Sequence, residues 1–352
     1  MISENLQKKR DTLHAYLREL GGAAVAFSSG VDSTYLLKES VEALGGRVIA
    51  VTVSPPWFAR HELRDSIEYC KKLGVEHVVC NVDGDSIEGF RENPKDKCYI
   101  CKKALFTRIQ EVAHEHGIEY VVDGSNVDDT GDYRPGMRAL AELGIKSPLK
   151  ECGFTKQDIR ICSKELELPT WDKPSFACLA SRFPYGERIT DEKLAMVDKA
   201  ENLLMELGFK QFRCRIHGKM ARIEVSPEDF PKIMEDPVRT IIVERYKEFG
   251  FTYTALDMQG FRSGSMNETL TAEERVKGVE RKNENLEAGR AARPDVDRQQ
   301  EANTLKNSDK EDAGIESHQV HQDKYILEQQ DVSESHSMLG DFPAHREGEM
   351  HA

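Results

Sequence analysis

Over roughly its first 125 residues the chain alternates short apolar runs with longer segments of helical periodicity, and few folds accommodate that alternation. Ala23-Ala24-Val25-Ala26-Phe27, Val48 to Val53, His77 to Cys80 and Tyr120-Val121-Val122 are brief and continuously apolar or nearly so. Such runs read as strands buried on both faces. Between them, Thr34 to Leu44, Ala59 to Leu73 and Cys98 to His114 read as helices. An earlier helix, capped by Ser3, places Leu6, Leu13, Leu17 and Leu20 on one face. The spacing predicts an α/β fold with a doubly wound, mostly parallel sheet. In such sheets ligands bind at the carboxyl ends of the strands. Ser28 to Ser33 and Asp123 to Asp129 both fall there.

The pattern changes after about residue 180. Asp191 to Leu207 reads as a helix, and Phe212 to Ile216 with Ala221 to Val225 as a hairpin about His217-Gly218-Lys219. Pro227 to Met234 and Val238 to Phe249 are helical in pattern, and Thr252 to Leu256 is a further strand. The expected division is an α/β domain over 1–180, a smaller α+β domain for substrate binding or oligomerisation over 181–270, and a polar tail over 271–352. From about residue 272 the chain is too poor in aromatic residues to offset its ordering entropy, so disorder is expected there, after a solvated helix over Thr271 to Ala292.

The net charge of −13 argues against a general nucleic-acid binder. No apolar run approaches the roughly 20 residues of a membrane helix, and Met1 to Arg10 lacks the apolar core of a signal peptide. A cytoplasmic location follows as an expectation, with cysteines reduced. Cys70, Cys80, Cys152, Cys162 and Cys214 stand alone and read as small buried hydrophobes.

Ser28-Ser29-Gly30-Val31-Asp32-Ser33 lies between a strand and a helix. That arrangement aims backbone N–H groups and a helix N-terminus at one point, the geometry that binds phosphate. Ser28, Ser29 and Ser33 add hydroxyls, and Asp32 suits a Mg²⁺ ion or a loop-fixing contact. No Gly-Lys-Ser/Thr follows, so this is not a Walker loop. The alternative is an ordinary polar turn.

Cys98 and Cys101 stand three apart at a helix start, facing the same way, beside Lys97, Lys102 and Lys103. The helix dipole and these lysines are expected to favour thiolates. Cys178 lies in Pro174-Ser175-Phe176-Ala177-Cys178-Leu179-Ala180-Ser181-Arg182. A zinc site lacks its fourth ligand. A redox dithiol would use the first pair alone. An iron–sulfur cluster on three cysteines would leave one iron open. Unrelated thiols are the remaining reading.

The hexamer resembles the Ser-Gly-Gly-x-Asp-Ser signature of the PP-loop, or N-type ATP pyrophosphatase, superfamily. That family cleaves ATP between its α and β phosphates and leaves AMP on the substrate. Ser29 replaces the usual Gly, which fits if its φ is negative. By the same resemblance, Val51-Thr52-Val53-Ser54 ends where the family contacts adenine. Gly124, Asn126 and Asp128 lie where it closes over nucleotide and metal.

Asp132-Tyr133-Arg134-Pro135-Gly136, Ser181-Arg182-Phe183-Pro184-Tyr185-Gly186 and Leu256-Asp257-Met258-Gln259-Gly260-Phe261-Arg262-Ser263-Gly264 together resemble LarE, from about residue 5 to 270. LarE proteins are ATP-dependent sulfur transferases that make the nickel-pincer nucleotide cofactor. The resemblance implies adenylylation of pyridinium-3,5-biscarboxylic acid mononucleotide and displacement of AMP by sulfur. In one subgroup the sulfur comes from a sacrificial cysteine at or beside Cys178; in another, three cysteines hold a [4Fe–4S] cluster. Cys98, Cys101 and Cys178 match the second pattern. Arg213, Arg215 and Arg262 take phosphate-binding positions and Glu201 an active-site position, with Cys178 and Asp32 as the other catalytic groups. Arg134 and Arg182 serve the same anionic site or brace loops, and Trp57 shields the nucleotide or packs in the core. A homo-oligomer is also implied, with the sulfur donor unspecified. Rival readings are a tRNA thiolation enzyme, an ammonia-dependent amidation enzyme and a non-catalytic AMP sensor.

Overall fold

The computed structural model describes residues 2–130, 135–174, 177–262, 264, 265, 268 and 271, all within the unit Met1–Arg293. Helix α1 (Glu4–Leu20) starts at Ser3, whose hydroxyl accepts from the Leu6 amide at 3.3 Å. Its buried Leu6, Leu13 and Leu17 join a cluster with Tyr35 and Leu36 of α2 (Val31–Leu44). Strands β1 (Ala23–Ala26), β2 (Val48–Ser54), β3 (Glu76–Asn81) and β4 (Val121–Val122) form a parallel sheet in the order β3-β2-β1-β4.

Residues of β1 alternate between two cores, as the strand period requires. Ala23 and Val25 face α1, α2 and Cys70 of α3 (Arg60–Leu73). Ala24 faces Phe106, Ile109 and Val112 of α4 (Lys97–Glu115). The doubly wound α/β sheet expected from the sequence is therefore the fold. The chain runs outward from β1 to β3, then returns to β1's other side for β4, so the carboxyl ends of β1 and β4 form a switch point.

Short helices α5 (Gly136–Glu142) and α6 (Pro148–Glu151) follow, then α7 (Lys156–Glu165), which opens with a Thr155/Asp158 capping box. Beyond them α8 (Asp191–Glu206), α9 (Phe230–Met234) and α10 (Val238–Glu248) accompany a second sheet. Its strands β5 (Phe212–His217), β6 (Met220–Val225) and β7 (Tyr253–Leu256) pair antiparallel, then parallel. One apolar cluster joins Val197 and Leu204 of α8, Cys214 of β5 and Tyr246 of α10 to Trp57 and Phe90. Trp57 is 1% exposed and stacks on Phe90 with centroids 3.9 Å apart, so it packs in the core.

Cys70, Cys80, Cys162 and Cys214 are buried free thiols and Cys152 is half-buried. No helix among the described residues is long and apolar enough to cross a membrane. Asp132, Tyr133, Arg134 and the expected tail beyond residue 271 lie outside the described residues.

Candidate active site

Helix α2 begins at Val31, three residues earlier than its apolar periodicity indicates, so Asp32 and Ser33 occupy its first turn. The Ser33 hydroxyl organises the loop. It accepts from the Ser28 amide at 3.3 Å, lies 3.2 Å from the Ser28 hydroxyl and is 3.3 Å from the Gly30 carbonyl. The end of β4 presses on this turn. A Cβ on Gly124 would lie 3.0 Å from the Ser33 nitrogen, so the approach requires glycine.

Ser29 corrects one expectation: its φ is +54, in the left-handed region, not negative. Two anchors hold it there. Its buried hydroxyl donates to the Glu62 carbonyl at 3.0 Å, and Lys173 Nζ donates to its carbonyl at 3.2 Å. Ser29→Gly removes both the strain and a hydrogen bond, so its unfolding free energy should stay within about 1 kcal/mol of the parent. Ser29→Val keeps the positive φ with a β-branched side chain and should lose about 2 kcal/mol or more. Urea unfolding of both variants tests this; equal stabilities would contradict it.

Asp32 Oδ2 pairs with Lys156 Nζ at 2.5 Å, while Oδ1 is buried and has no hydrogen-bond partner among the described residues. Burial pushes the Asp32 carboxyl up, and Lys156 only partly offsets this. A buried carboxylate oxygen of this kind fits a hard cation such as Mg²⁺. Lys156 is the first residue of α7, and its amide donates to Asp128 Oδ2 at 2.8 Å. Asn126 Oδ1 accepts from the Asp128 amide at 2.9 Å, which fixes that turn. Ser54, at the end of β2, opens on a cleft of about 380 Å³ that also touches Pro55, Phe58, Val82 and Leu179.

Two sets of polar contacts anchor this loop and the segment of Cys178. Lys173 bridges Ser29 to Asp65 Oδ2, the latter at 2.9 Å. Burial raises the Glu62 carboxyl to about 7, although the charges of Lys173 and Arg182 pull it down. Arg182 is fully buried and grips Glu201 with two bonds of 2.7 Å. Its Nη1 donates to the carbonyls of Ala177 at 2.9 Å and Cys178 at 3.3 Å. Glu201 Oε1 also accepts the Cys214 amide at 2.8 Å, so both of its oxygens are engaged and Arg182 holds it ionised against its burial. This geometry gives Glu201 a bracing position.

Arg213 and Arg215 both lie buried on β5. Arg215 binds Glu224 through two contacts of 3.1 Å and donates to the Ser181 carbonyl at 2.7 Å. Arg213 sits 5.0 Å from the Phe261 ring centroid; desolvation, with Arg182 nearby, lowers it to about 10. Arg262 is engaged by Asp257 at 3.3 Å and Glu268 at 2.6 Å.

Cys98 and Cys101 lie in the first two turns of α4, and Cys178 directly precedes a 3₁₀ turn, Leu179–Arg182. Cys98 and Cys178 are exposed and Cys101 is half-buried. The three sulfurs feel one another electrostatically. The expected thiolate preference is reversed for the first two. Desolvation and the neighbouring Cys178 push Cys98 up more than Lys97 and Lys102 pull it down, and desolvation does the same at Cys101. A metal bound by these sulfurs would have to displace their protons. The sulfurs do not gather within 4.8 Å of one another, as ligands of a single ion would. Three cysteine sulfurs within electrostatic reach of one another are the donor type that an iron–sulfur cluster uses.

No family model matches the chain. An uncharacterized protein of Synechocystis is 40% identical over 266 residues, covering 76% of this chain and 99% of the relative. The pyridinium-3,5-bisthiocarboxylic acid mononucleotide synthase of Lactiplantibacillus plantarum is 38% identical over 271 residues, covering 76% of this chain and 96% of the relative. The chain belongs to the LarE family. One of the subunits of the glutamine-hydrolyzing GMP synthase of Thermoplasma volcanium is 26% identical over 225 residues, covering 58% of this chain and 71% of the relative. That likeness carries the PP-loop relationship, so this LarE protein is an ATP-dependent enzyme. Around the LarE loop the structure adds Lys156, Glu62 and Lys173, which the motifs alone do not reveal. The one sequence signal for Lys156 is its place inside the Thr155/Asp158 capping box.

Proposed function

We propose that this LarE protein adenylylates a carboxylate of pyridinium-3,5-biscarboxylic acid mononucleotide and then replaces AMP with sulfur, with Cys98, Cys101 and Cys178 as ligands of a [4Fe–4S] cluster. The observation that supports the reading is the paired anchoring of loop and cysteine segment: Lys173 donates to the Ser29 carbonyl, and the buried Arg182 donates to the Cys178 carbonyl. In the first step a substrate carboxylate oxygen bonds to the α-phosphorus of ATP and pyrophosphate leaves. In the second a carbon–sulfur bond forms at the carboxyl carbon and AMP departs with the carboxyl oxygen.

Ser28 to Ser33 cradle the pyrophosphate. Asp32 is the seat for Mg²⁺, and Lys156 then turns its charge to the phosphates. Ser54, Asn126 and Asp128 border the nucleotide. Arg213, Arg215 and Arg262 receive the substrate phosphate, for which guanidinium is well shaped. Glu201 acts by fixing Arg182, which in turn holds the Cys178 segment. A cluster on three cysteines leaves one iron able to carry a sulfur. A homo-oligomeric state and a cytoplasmic location belong to the same reading.

Protein purified without oxygen should contain iron and sulfide, and substitution of any of Cys98, Cys101 or Cys178 by Ser should reduce both. With ATP and the biscarboxylic acid mononucleotide it should release AMP and pyrophosphate and form a thiocarboxylate. Iron-free protein that loses the mass of one H₂S at Cys178 on turnover would replace the cluster by a sacrificial cysteine. AMP release stimulated by tRNA and suppressed by salt would overturn the substrate assignment.

A further inference from the structure

Thr52 interrupts the apolar run of β2 and is only 1% exposed. A hydroxyl buried in that way is costly unless it is bonded. It donates to the Phe27 carbonyl at 2.8 Å. Thr52 Oγ1 also lies 2.8 Å from His77 Nε2. The one hydroxyl proton is spent on Phe27, whose carbonyl can only accept, so His77 Nε2 carries a hydrogen and donates to Thr52. Register places the three on one face of the sheet: Val25 pairs with Ala50 and Ala50 with His77, and Phe27 and Thr52 each stand two residues further on. The rings of Phe27 and His77 meet edge to face with centroids 6.2 Å apart. A contact chain therefore crosses from the edge strand β3 through β2 to the end of β1.

The Phe27 carbonyl belongs to the peptide unit that opens the phosphate loop. The N–H of that unit is the Ser28 amide, which donates to the Ser33 hydroxyl at 3.3 Å. In a planar trans peptide the C=O and N–H point in opposite directions, so holding one aims the other. Thr52 pins the unit on its carbonyl side and Ser33 on its amide side. Ser29, the next residue, has φ +54, so any rotation of the preceding plane would pass directly into a strained turn.

We infer that Thr52 and His77 are positioning residues for ATP: together they fix the Phe27–Ser28 peptide plane and thereby the aim of the loop at the pyrophosphate. Both act through the peptide and not on the nucleotide. The inference rests on the reading above that Ser28 to Ser33 hold the pyrophosphate.

The test is equilibrium titration of the full chain with ATP and, separately, with AMP, which lacks the pyrophosphate. Thr52→Val keeps the shape and removes the hydroxyl. It should weaken ATP binding roughly 3–10-fold, the range of one net hydrogen bond, and leave AMP binding unchanged. Thr52→Ser should restore the preference for ATP. His77→Leu should lose roughly 2–3-fold, again for ATP alone, and His77→Gln, which keeps an N–H donor, should recover it. Because His77 acts through Thr52, the double variant Thr52→Val/His77→Leu should bind ATP no more weakly than Thr52→Val. An unchanged ratio of ATP to AMP affinity in Thr52→Val overturns the inference and leaves the loop reading standing. Equal weakening of both nucleotides also overturns it, because that marks general damage to the sheet. Losses that multiply in the double variant overturn the role of His77. Should Thr52→Val not fold, His77→Leu at its half-buried position decides the matter by the same ratio. A wild type that binds ATP no more tightly than AMP removes the loop reading and this inference together.

Discussion

Asp32→Asn is expected to slow ATP-dependent pyrophosphate release by roughly 10²–10³-fold, the loss typical of removing one preorganised electrostatic group. The substitution preserves shape and deletes the charge that holds Lys156 at 2.5 Å. It also deletes the buried carboxylate oxygen proposed for Mg²⁺. The fold should not suffer. Burial, the larger effect, raises the Asp32 carboxyl above its ordinary value despite Lys156. A raised folded value gives stability that is complete below the unfolded value and is lost as pH rises through the folded one. At neutral pH the ionised Asp32 is therefore a liability, and Asp32→Asn should melt no lower than wild type. Steady-state pyrophosphate assays and thermal unfolding check the two halves separately. A near-normal rate would remove Asp32 from the machinery.

The second large effect is on stability. Arg182→Ala should cost about 3–5 kcal/mol, because it strands Glu201 as a buried charge. Glu201→Gln should also destabilise, leaving a buried guanidinium without its partner. Burial alone would raise the Glu201 carboxyl, but the Arg182 charge and bonds outweigh it and the net direction is down. A lowered value gives stability that is present above the unfolded value and lost as pH falls through the folded one. The gap between wild type and Glu201→Gln should therefore narrow below the ordinary glutamate range. Urea unfolding at neutral and acid pH measures it; a gap independent of pH would contradict the ion-pair account. The double variant Arg182→Met/Glu201→Leu should recover much of the stability. Sulfur transfer should stay impaired in it, because the Cys178 segment still lacks its brace.

Sequence was informative where the signal is local. The apolar runs of β1 and β2, the Ser28–Ser33 turn and the spacing of Cys98 and Cys101 needed no tertiary knowledge. Long-range pairs left no such trace. Lys156 meets Asp32 across 124 residues, and Lys173 meets Ser29 across 144. Each lysine reads in sequence as a solvated surface residue. The sign of φ at Ser29 was hidden for the same reason: anchors at Glu62 and Lys173 decide it. Helices α5 and α6, of seven and four residues, are too short to display a helical period. The thiol preference of Cys98 and Cys101 turned on desolvation, which charge patterning along the chain does not register.

The contact between Lys173 and the Ser29 carbonyl also sets a leash. Cys178 follows Lys173 by five residues, and five residues of extended chain reach at most about 16–18 Å. Whatever rearrangement accompanies turnover, the sulfur-bearing segment stays within that radius of the residue that grips the phosphate loop. An acyl adenylate is vulnerable to water for as long as it waits for its nucleophile. On the proposed route, a short leash would make the encounter intramolecular and raise the effective concentration of the sulfur site around the activated carboxyl.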